Sequence, residues 1–133
     1  YGQAYRARLK NWTDQLALHA STWFEQPNPS RSDCHAWGSW IMCDLLTSVL
    51  GVTPAEPGFA RVRIAPQVLD LQFARGTVPT VRGPIRVAWQ RSGAEGRCEI
   101  DLPAGVTGVF VGPDGREQPL TGGTQVKSFS RPG

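Results

Sequence analysis

The strongest constraint on the fold of this chain is a change in the spacing of its apolar residues near Pro54. Before Pro54 the apolar residues recur every three or four positions, as in a helix. After about Phe59 they recur at every second position, as in a strand. The content of glycine and proline changes at the same place: residues 1–50 hold 4 of the 26 Gly and Pro residues, and residues 51–133 hold the other 22. The sequence therefore predicts a helical part followed by a turn-rich β part.

The helical part is predicted to contain two helices joined by a loop. The first runs from Tyr1 to about Leu18, and its apolar positions are Tyr5, Leu9, Trp12 and Leu16. Two prolines make residues 21–30 a loop. The second helix is predicted from about Asp33 to Leu50, with Ser30 or Ser32 as its N-cap. Its apolar stripe consists of Trp37, Ile41, Leu45 and Val49.

The β part shows short alternating runs separated by turn signals. The apolar positions of these runs are Val62, Ile64, Leu71, Phe73, Val78, Ile85, Val87, Trp89, Cys98, Ile100, Leu102, Val109 and Val111. This spacing favours an antiparallel β-sandwich over residues 59–129. Two helices cannot bury their apolar stripes alone, so we expect them to belong to a larger helical domain. The predicted domains are residues 1–53 and residues 54–133.

Composition excludes several classes of protein. No stretch reaches 18 apolar residues, so no membrane span is expected, and no signal peptide is visible. The net charge is only +3, and the arginines are spread over several strands, which argues against nucleic-acid binding. Three cysteines match no metal-site spacing, and Cys34 and Cys43 are interpreted as buried thiols. No cofactor and no metal are expected. The compartment stays open between cytoplasmic and periplasmic or secreted.

The residues that could carry chemistry lie around the loop before the second helix. Glu25 and His35 supply a carboxylate and an imidazole, and Trp23 and Trp37 lie beside them in sequence. A carboxylate among aromatic rings suits sugar chemistry, since the rings pack on a pyranose while the carboxylate acts as acid or base.

Structural interpretations of the same residues stay open. Thr22 and Glu25 also match a capping box, and His35 could be a structural histidine in the first turn of a helix. Trp37 heads the apolar stripe and could belong to the core. Arg31 would by default pair with Asp33 or Glu25 on the surface.

Several motifs in order resemble a known family. Residues 21–25 (STWFE) and 30–37 (SRSDCHAW) resemble the last active-site loop of bacterial α-L-rhamnosidases, glycoside hydrolase family 78. The resemblance continues through residues 49–59, 62–66, 76–80 and 83–87, which are similar to the junction with the C-terminal domain and to its first strands. It covers about residues 1–91.

The resemblance implies an α+β fragment: the last helices of an (α/α)6 barrel followed by a small antiparallel β-sandwich. It implies an inverting enzyme that releases terminal α-L-rhamnose from a rhamnose-containing glycoside. Glu25 falls at the position of the general base, and His35 at that of a histidine contacting the sugar, with Trp37 as a further candidate for substrate binding. The general acid would lie in an upstream barrel, and the chain alone is expected to be inactive. Because the chain starts at Tyr1 rather than at Met, an upstream segment is expected.

Two other functions compete with this one. The first is a six-hairpin glycosidase for another sugar. The second is a non-catalytic β-sandwich that binds carbohydrate or has a structural role, with the helices as a linker.

Overall fold

The computed structural model describes residues 2–27 and 30–130. The fold contains two compact units, which divide the sequence between Asp44 and Leu45. The domain boundary predicted between residues 53 and 54 stays a prediction. The first unit is helical with one short hairpin, and the second is built from strands.

The first helix, α1, spans Gly2–Ala17, as the apolar spacing predicts. Trp12 is buried on one side of it, where its ring meets the Trp40 ring edge-on at a centroid distance of 4.8 Å. The Trp12 indole N–H also donates to the carbonyl oxygen of Gly38 at 2.7 Å. His19 then adopts the left-handed conformation (φ 57°), which is a common way for a helix to end.

The loop predicted over residues 21–30 contains regular structure. Two short antiparallel strands, β1 (Gln26–Pro27) and β2 (Ser30–Arg31), pair Gln26 with Arg31 and Pro27 with Ser30. This hairpin changes the start of the second helix, because Ser30 lies in a strand and Ser32 has a φ of 53°. Neither serine is the N-cap. The N-cap is His35, and it makes no side-chain capping bond.

The second helical segment differs from the prediction of one α-helix from Asp33. It comprises a 3₁₀ turn (Ala36–Ser39), the helix α2 (Trp40–Asp44) and a π-helix (Leu45–Val49). A 3₁₀ turn has about 3.0 residues per turn, and a π-helix has more residues per turn than an α-helix. Apolar residues spaced for the about 3.6 residues per turn of an α-helix therefore do not stay on one face of this segment. Ile41 and Val49 are buried as expected, but Trp37 is exposed, and its assignment to the core is wrong.

The second unit contains the β-sandwich, which was predicted over residues 59–129 and begins earlier in the structure, at Val52. Its strands are β3 (Val52–Pro54), β4 (Arg61–Ile64), β5 (Phe73–Val78), β6 (Ile85–Ser92), β7 (Glu95–Leu102), β8 (Thr107–Val111), β9 (Glu117–Leu120) and β10 (Gly123–Ser130). One sheet has the order β10-β7-β6-β5 and the other β3-β4-β8-β9. A 3₁₀ turn, Pro57–Phe59, links β3 to β4. Within the described residues after residue 60 there is no helix.

The alternating runs of β4, β6 and β7 point into the core as predicted. Trp89 is among the largest fully buried side chains, and its indole N–H donates to the Val49 carbonyl oxygen at 3.0 Å. Phe73 is an exception, because it lies exposed on the outer face of β5.

One pairing and one strand phase differ from the prediction. Strands β4 and β8 pair in parallel, with Val62 opposite Gly108. The buried residues of β8 are Gly108 and Phe110, not the expected Val109 and Val111. A Cβ atom at Gly108 would lie 2.2 Å from the Val62 carbonyl oxygen, so the close approach of these strands requires glycine there.

The cysteines also differ from expectation. All three lie within the described residues, and they form no disulfide. Cys34 and Cys43 are exposed, so their interpretation as buried thiols is wrong, whereas Cys98 is buried in β7. Burial raises the pKa of the Cys98 thiol to about 12.

Candidate active site

The short hairpin brings the two motifs of the first unit together. The Glu25 N–H donates to the Ser32 carbonyl oxygen at 3.0 Å, and the His35 N–H donates to the Trp23 carbonyl oxygen at 2.8 Å. The Thr22 hydroxyl donates to the Asp33 carbonyl oxygen. Residues 22–25 therefore run beside residues 32–35, so that Glu25 and His35, ten positions apart in sequence, become neighbours.

Two contacts anchor this segment to the rest of the unit. The side-chain oxygen of Gln15, a buried polar residue of α1, accepts a hydrogen bond from the Phe24 N–H at 2.9 Å. Gly38 leaves room for the same segment, since a Cβ atom there would lie 2.7 Å from the Trp23 Cβ and 3.0 Å from the Phe24 oxygen. A larger residue at position 38 would displace the backbone that carries Glu25.

The Glu25 carboxylate is largely buried, with 17% of its side chain exposed. Arg31 Nε lies 3.3 Å from its Oε2 atom, and His35 Nδ1 lies 3.7 Å from the same oxygen. His35 Nδ1 also lies 3.0 Å from the Ser32 hydroxyl. The two nitrogen groups thus approach one carboxylate oxygen, Oε2.

An aromatic ring extends this cluster toward solvent. The Trp37 ring packs against the His35 ring at a centroid distance of 4.2 Å and an angle of 43°. The Trp37 residue is 63% exposed, so its ring is open to a ligand. His35 therefore contacts both Glu25 and Trp37, so the three predicted site residues are neighbours. Their roles in chemistry stay predictions.

The geometry also decides two of the open interpretations, the capping box and the partner of Arg31. Glu25 is not in the first turn of a helix, and the Thr22 hydroxyl bonds to Asp33 instead of capping one, so the capping-box interpretation is wrong. Arg31 pairs with Glu25, one of its two expected partners. Sequence reasoning missed the contact of Ser32 with His35, because it treated Ser32 as an N-cap. It also missed Gln15, whose only signal is a polar residue within the helix face that includes Trp12.

Within residues 2–27 and 30–130, no group of three or more His, Cys, Asp or Glu residues could hold a metal ion. In the same residues no helix is long and apolar enough to cross a membrane.

Most of the β-sandwich matches a known protein family. Residues 51–127 match the model of the bacterial alpha-L-rhamnosidase C-terminal domain. The chain belongs to this family. The match confirms the family that the sequence motifs indicated.

One curated relative is similar to about half of the chain. Over 66 residues the chain is 36% identical to an alpha-L-rhamnosidase of Alteromonas sp. (strain LOR), a stretch that covers 49% of this chain and 7% of that protein. The chain thus corresponds to a small part of that relative.

Solved alpha-L-rhamnosidases share the fold. The structure from Dictyoglumus thermophilum has a TM-score of 0.75 at 15% identity, covering 88% of this chain and 17% of its own. The native enzyme from Aspergillus terreus has a TM-score of 0.72 at 24% identity, with 89% and 15% covered. The Streptomyces avermitilis enzyme, solved with L-rhamnose, has a TM-score of 0.65 at 19% identity, with 80% and 12% covered. At these identities the likeness is one of fold.

Proposed function

We propose that this chain is the C-terminal part of an inverting glycoside hydrolase that releases terminal α-L-rhamnose, with Glu25 as its general base. Family membership supports the enzyme class. The observation that carries the site is the Glu25 carboxylate, which is mostly buried yet lies in a row with His35 and the exposed Trp37.

In this mechanism Glu25 takes a proton from water as the water attacks the anomeric carbon. A separate carboxylic acid protonates the leaving oxygen on the opposite face of the sugar. In inverting enzymes the two carboxyl groups stand roughly 6.5–9.5 Å apart, which leaves room for the water. The acid and most of the pocket belong to an (α/α)6 barrel of which residues 1–53 form the last helices. The chain needs that barrel to act.

His35 and Trp37 are proposed to bind the sugar. His35 Nδ1 is turned toward Ser32 and Glu25, so Nε2 is the ring nitrogen that is left to meet a sugar hydroxyl. The exposed face of Trp37 can pack on the apolar face of a pyranose ring. The bound L-rhamnose in the Streptomyces avermitilis relative makes a rhamnoside the first substrate to test.

The test is Glu25→Gln in the protein that joins this chain to its barrel. Gln keeps the shape of Glu and removes its basicity. We expect kcat on an aryl α-L-rhamnoside to fall by roughly 10²–10⁴, the usual contribution of a positioned acid or base. KM should change much less, because the amide still forms hydrogen bonds. Azide should partly restore turnover of a substrate with a good leaving group.

Asp114→Asn is the matched control. The Asp114 side chain is 16% exposed and lies 3.7 Å from an arginine Nε, much as Glu25 does, but it belongs to the β-sandwich. Its kcat should equal that of the wild type.

Proton NMR of the first sugar released should show the anomer opposite to that of the substrate.

Each alternative function predicts a different result. Hydrolysis of an aryl glucoside in preference to the rhamnoside would point to another six-hairpin glycosidase. Sugar binding by residues 54–133 without any turnover would favour the non-catalytic module. An unchanged kcat in Glu25→Gln would refute Glu25 as the base.

A further inference from the structure

We infer that Arg31 is a positioning residue for the general base: it holds Oε2 of Glu25, so that Oε1 is the oxygen presented to the attacking water. The inference rests on the proposed function. It goes further by assigning separate tasks to the two carboxylate oxygens and a role to an arginine that would otherwise be a surface ion pair.

The backbone places Arg31 beside Glu25. Arg31 pairs with Gln26 in the hairpin, and the next residues, Glu25 and Ser32, are joined by the hydrogen bond from the Glu25 N–H. From this backbone position the Arg31 guanidinium contacts the Glu25 carboxylate. These backbone hydrogen bonds hold the two segments side by side, so the backbone sets the geometry of the Arg31–Glu25 ion pair.

Both nitrogen groups meet the carboxylate on one side. Arg31 Nε and His35 Nδ1 lie 3.3 Å and 3.7 Å from Oε2. In both ion pairs the contact given is to this one oxygen of Glu25. A carboxylate held through one oxygen keeps its plane fixed, and the other oxygen remains available to accept a proton from water.

Stability alone does not explain the pair. The Arg31 side chain is 73% exposed, and ion pairs in contact with solvent contribute little to the free energy of unfolding. Its orienting effect is a different matter, because a misplacement of about 1 Å in a catalytic group can lower the rate about 100-fold. Loss of Arg31 should therefore affect the rate while the fold persists.

The experiment compares Arg31→Gln, Arg31→Lys and Glu25→Gln, and the double variant Arg31→Gln/Glu25→Gln, in the protein that includes the barrel. We expect Arg31→Gln to lower kcat about 10-fold to 100-fold with KM near the wild-type value. Arg31→Lys should keep more activity, since it restores the charge without the planar guanidinium. In the Glu25→Gln background the Arg31 change should produce no further loss, because Arg31 acts through Glu25.

Arg116→Gln is the matched control. Arg116 is 82% exposed and lies 3.7 Å from Asp114, so its loss breaks a similar arginine–carboxylate pair in the β-sandwich. Its kcat and its melting temperature should match the wild type. The melting temperature of Arg31→Gln should also stay close to the wild-type value.

The outcomes separate the two proposals. If Glu25→Gln loses activity while Arg31→Gln does not, the inference about Arg31 is wrong and the proposed function stands. A rise in KM without a fall in kcat would also overturn it, because it would mean that Arg31 binds substrate directly. If Glu25→Gln keeps full activity, the proposed function fails, and the role of Arg31 fails with it.

Discussion

The buried indole of Trp89 offers a sharp test of how the β-sandwich is held together. Trp89→Phe removes the hydrogen bond to the Val49 carbonyl oxygen and shrinks the side chain. The smaller ring leaves a cavity of about 40 Å³, which at about 24 cal/mol per Å³ lowers the free energy of unfolding by about 1 kcal/mol. A buried carbonyl without its donor adds about 1–3 kcal/mol. We therefore expect a total loss of about 2–4 kcal/mol.

Urea unfolding followed by far-UV circular dichroism measures this loss. Fluorescence is unsuitable, because Trp89 is the sole tryptophan in residues 45–133 and the variant lacks it. With an m-value of about 1.5 kcal/mol per M, a loss of 3 kcal/mol lowers the midpoint by about 2 M. The slope itself should not change, since the same surface is exposed on unfolding.

Phe110→Leu is the control for the volume term. Phe110 is as fully buried as Trp89 and has no polar atom in its side chain, so its shortening should lower the free energy of unfolding by about 1 kcal/mol. The reasoning would be refuted if both variants lost the same amount. That result would mean that the hydrogen bond to Val49 contributes nothing measurable.

The remaining predictions use the chain by itself. Residues 1–133 should not hydrolyse an aryl α-L-rhamnoside, because the proposed mechanism needs a general acid from the barrel, and steady turnover would contradict this. The chain should also bind a hydrophobic dye, because several large apolar side chains are exposed: Leu16, Leu18, Trp37 and Met42. A thiol reagent at pH 8 should label Cys34 and Cys43 but not Cys98. Burial raises the pKa of Cys98 in the folded state from 9.0 to about 12. The contribution of the neutral thiol to the free energy of unfolding is therefore complete below pH 9 and is lost as pH rises toward 12, by up to about 1.4 kcal/mol per pH unit. Labelling of a third cysteine in the native state would contradict the burial.

Local sequence patterns predicted much of the candidate site but not its geometry. Glu25, His35 and Trp37 stand out by residue type and by family motif, and the structure brings them together. The ion pair of Arg31 with Glu25 stayed one of two choices, because it depends on a hairpin of two residues per strand. Strands this short have too few positions for an alternating pattern, and only their hydrogen bonds reveal them.

In the β part, alternation determined which residues of β6 and β7 face the core, since side chains in a strand point to opposite faces in turn. The same rule was misleading in β8, where Val109 and Val111 look apolar but Gly108 and Phe110 are buried. The phase there depends on the parallel neighbour β4, whose Val62 leaves no room for a side chain at position 108. The sequence by itself thus determined the first helix and the apolar runs of β4 to β8, because these depend on local period. Strand partners and the β8 phase were decided by the tertiary structure, because they depend on residues that are distant in sequence. The contacts of Glu25 were decided by a hairpin too short to leave an alternating pattern.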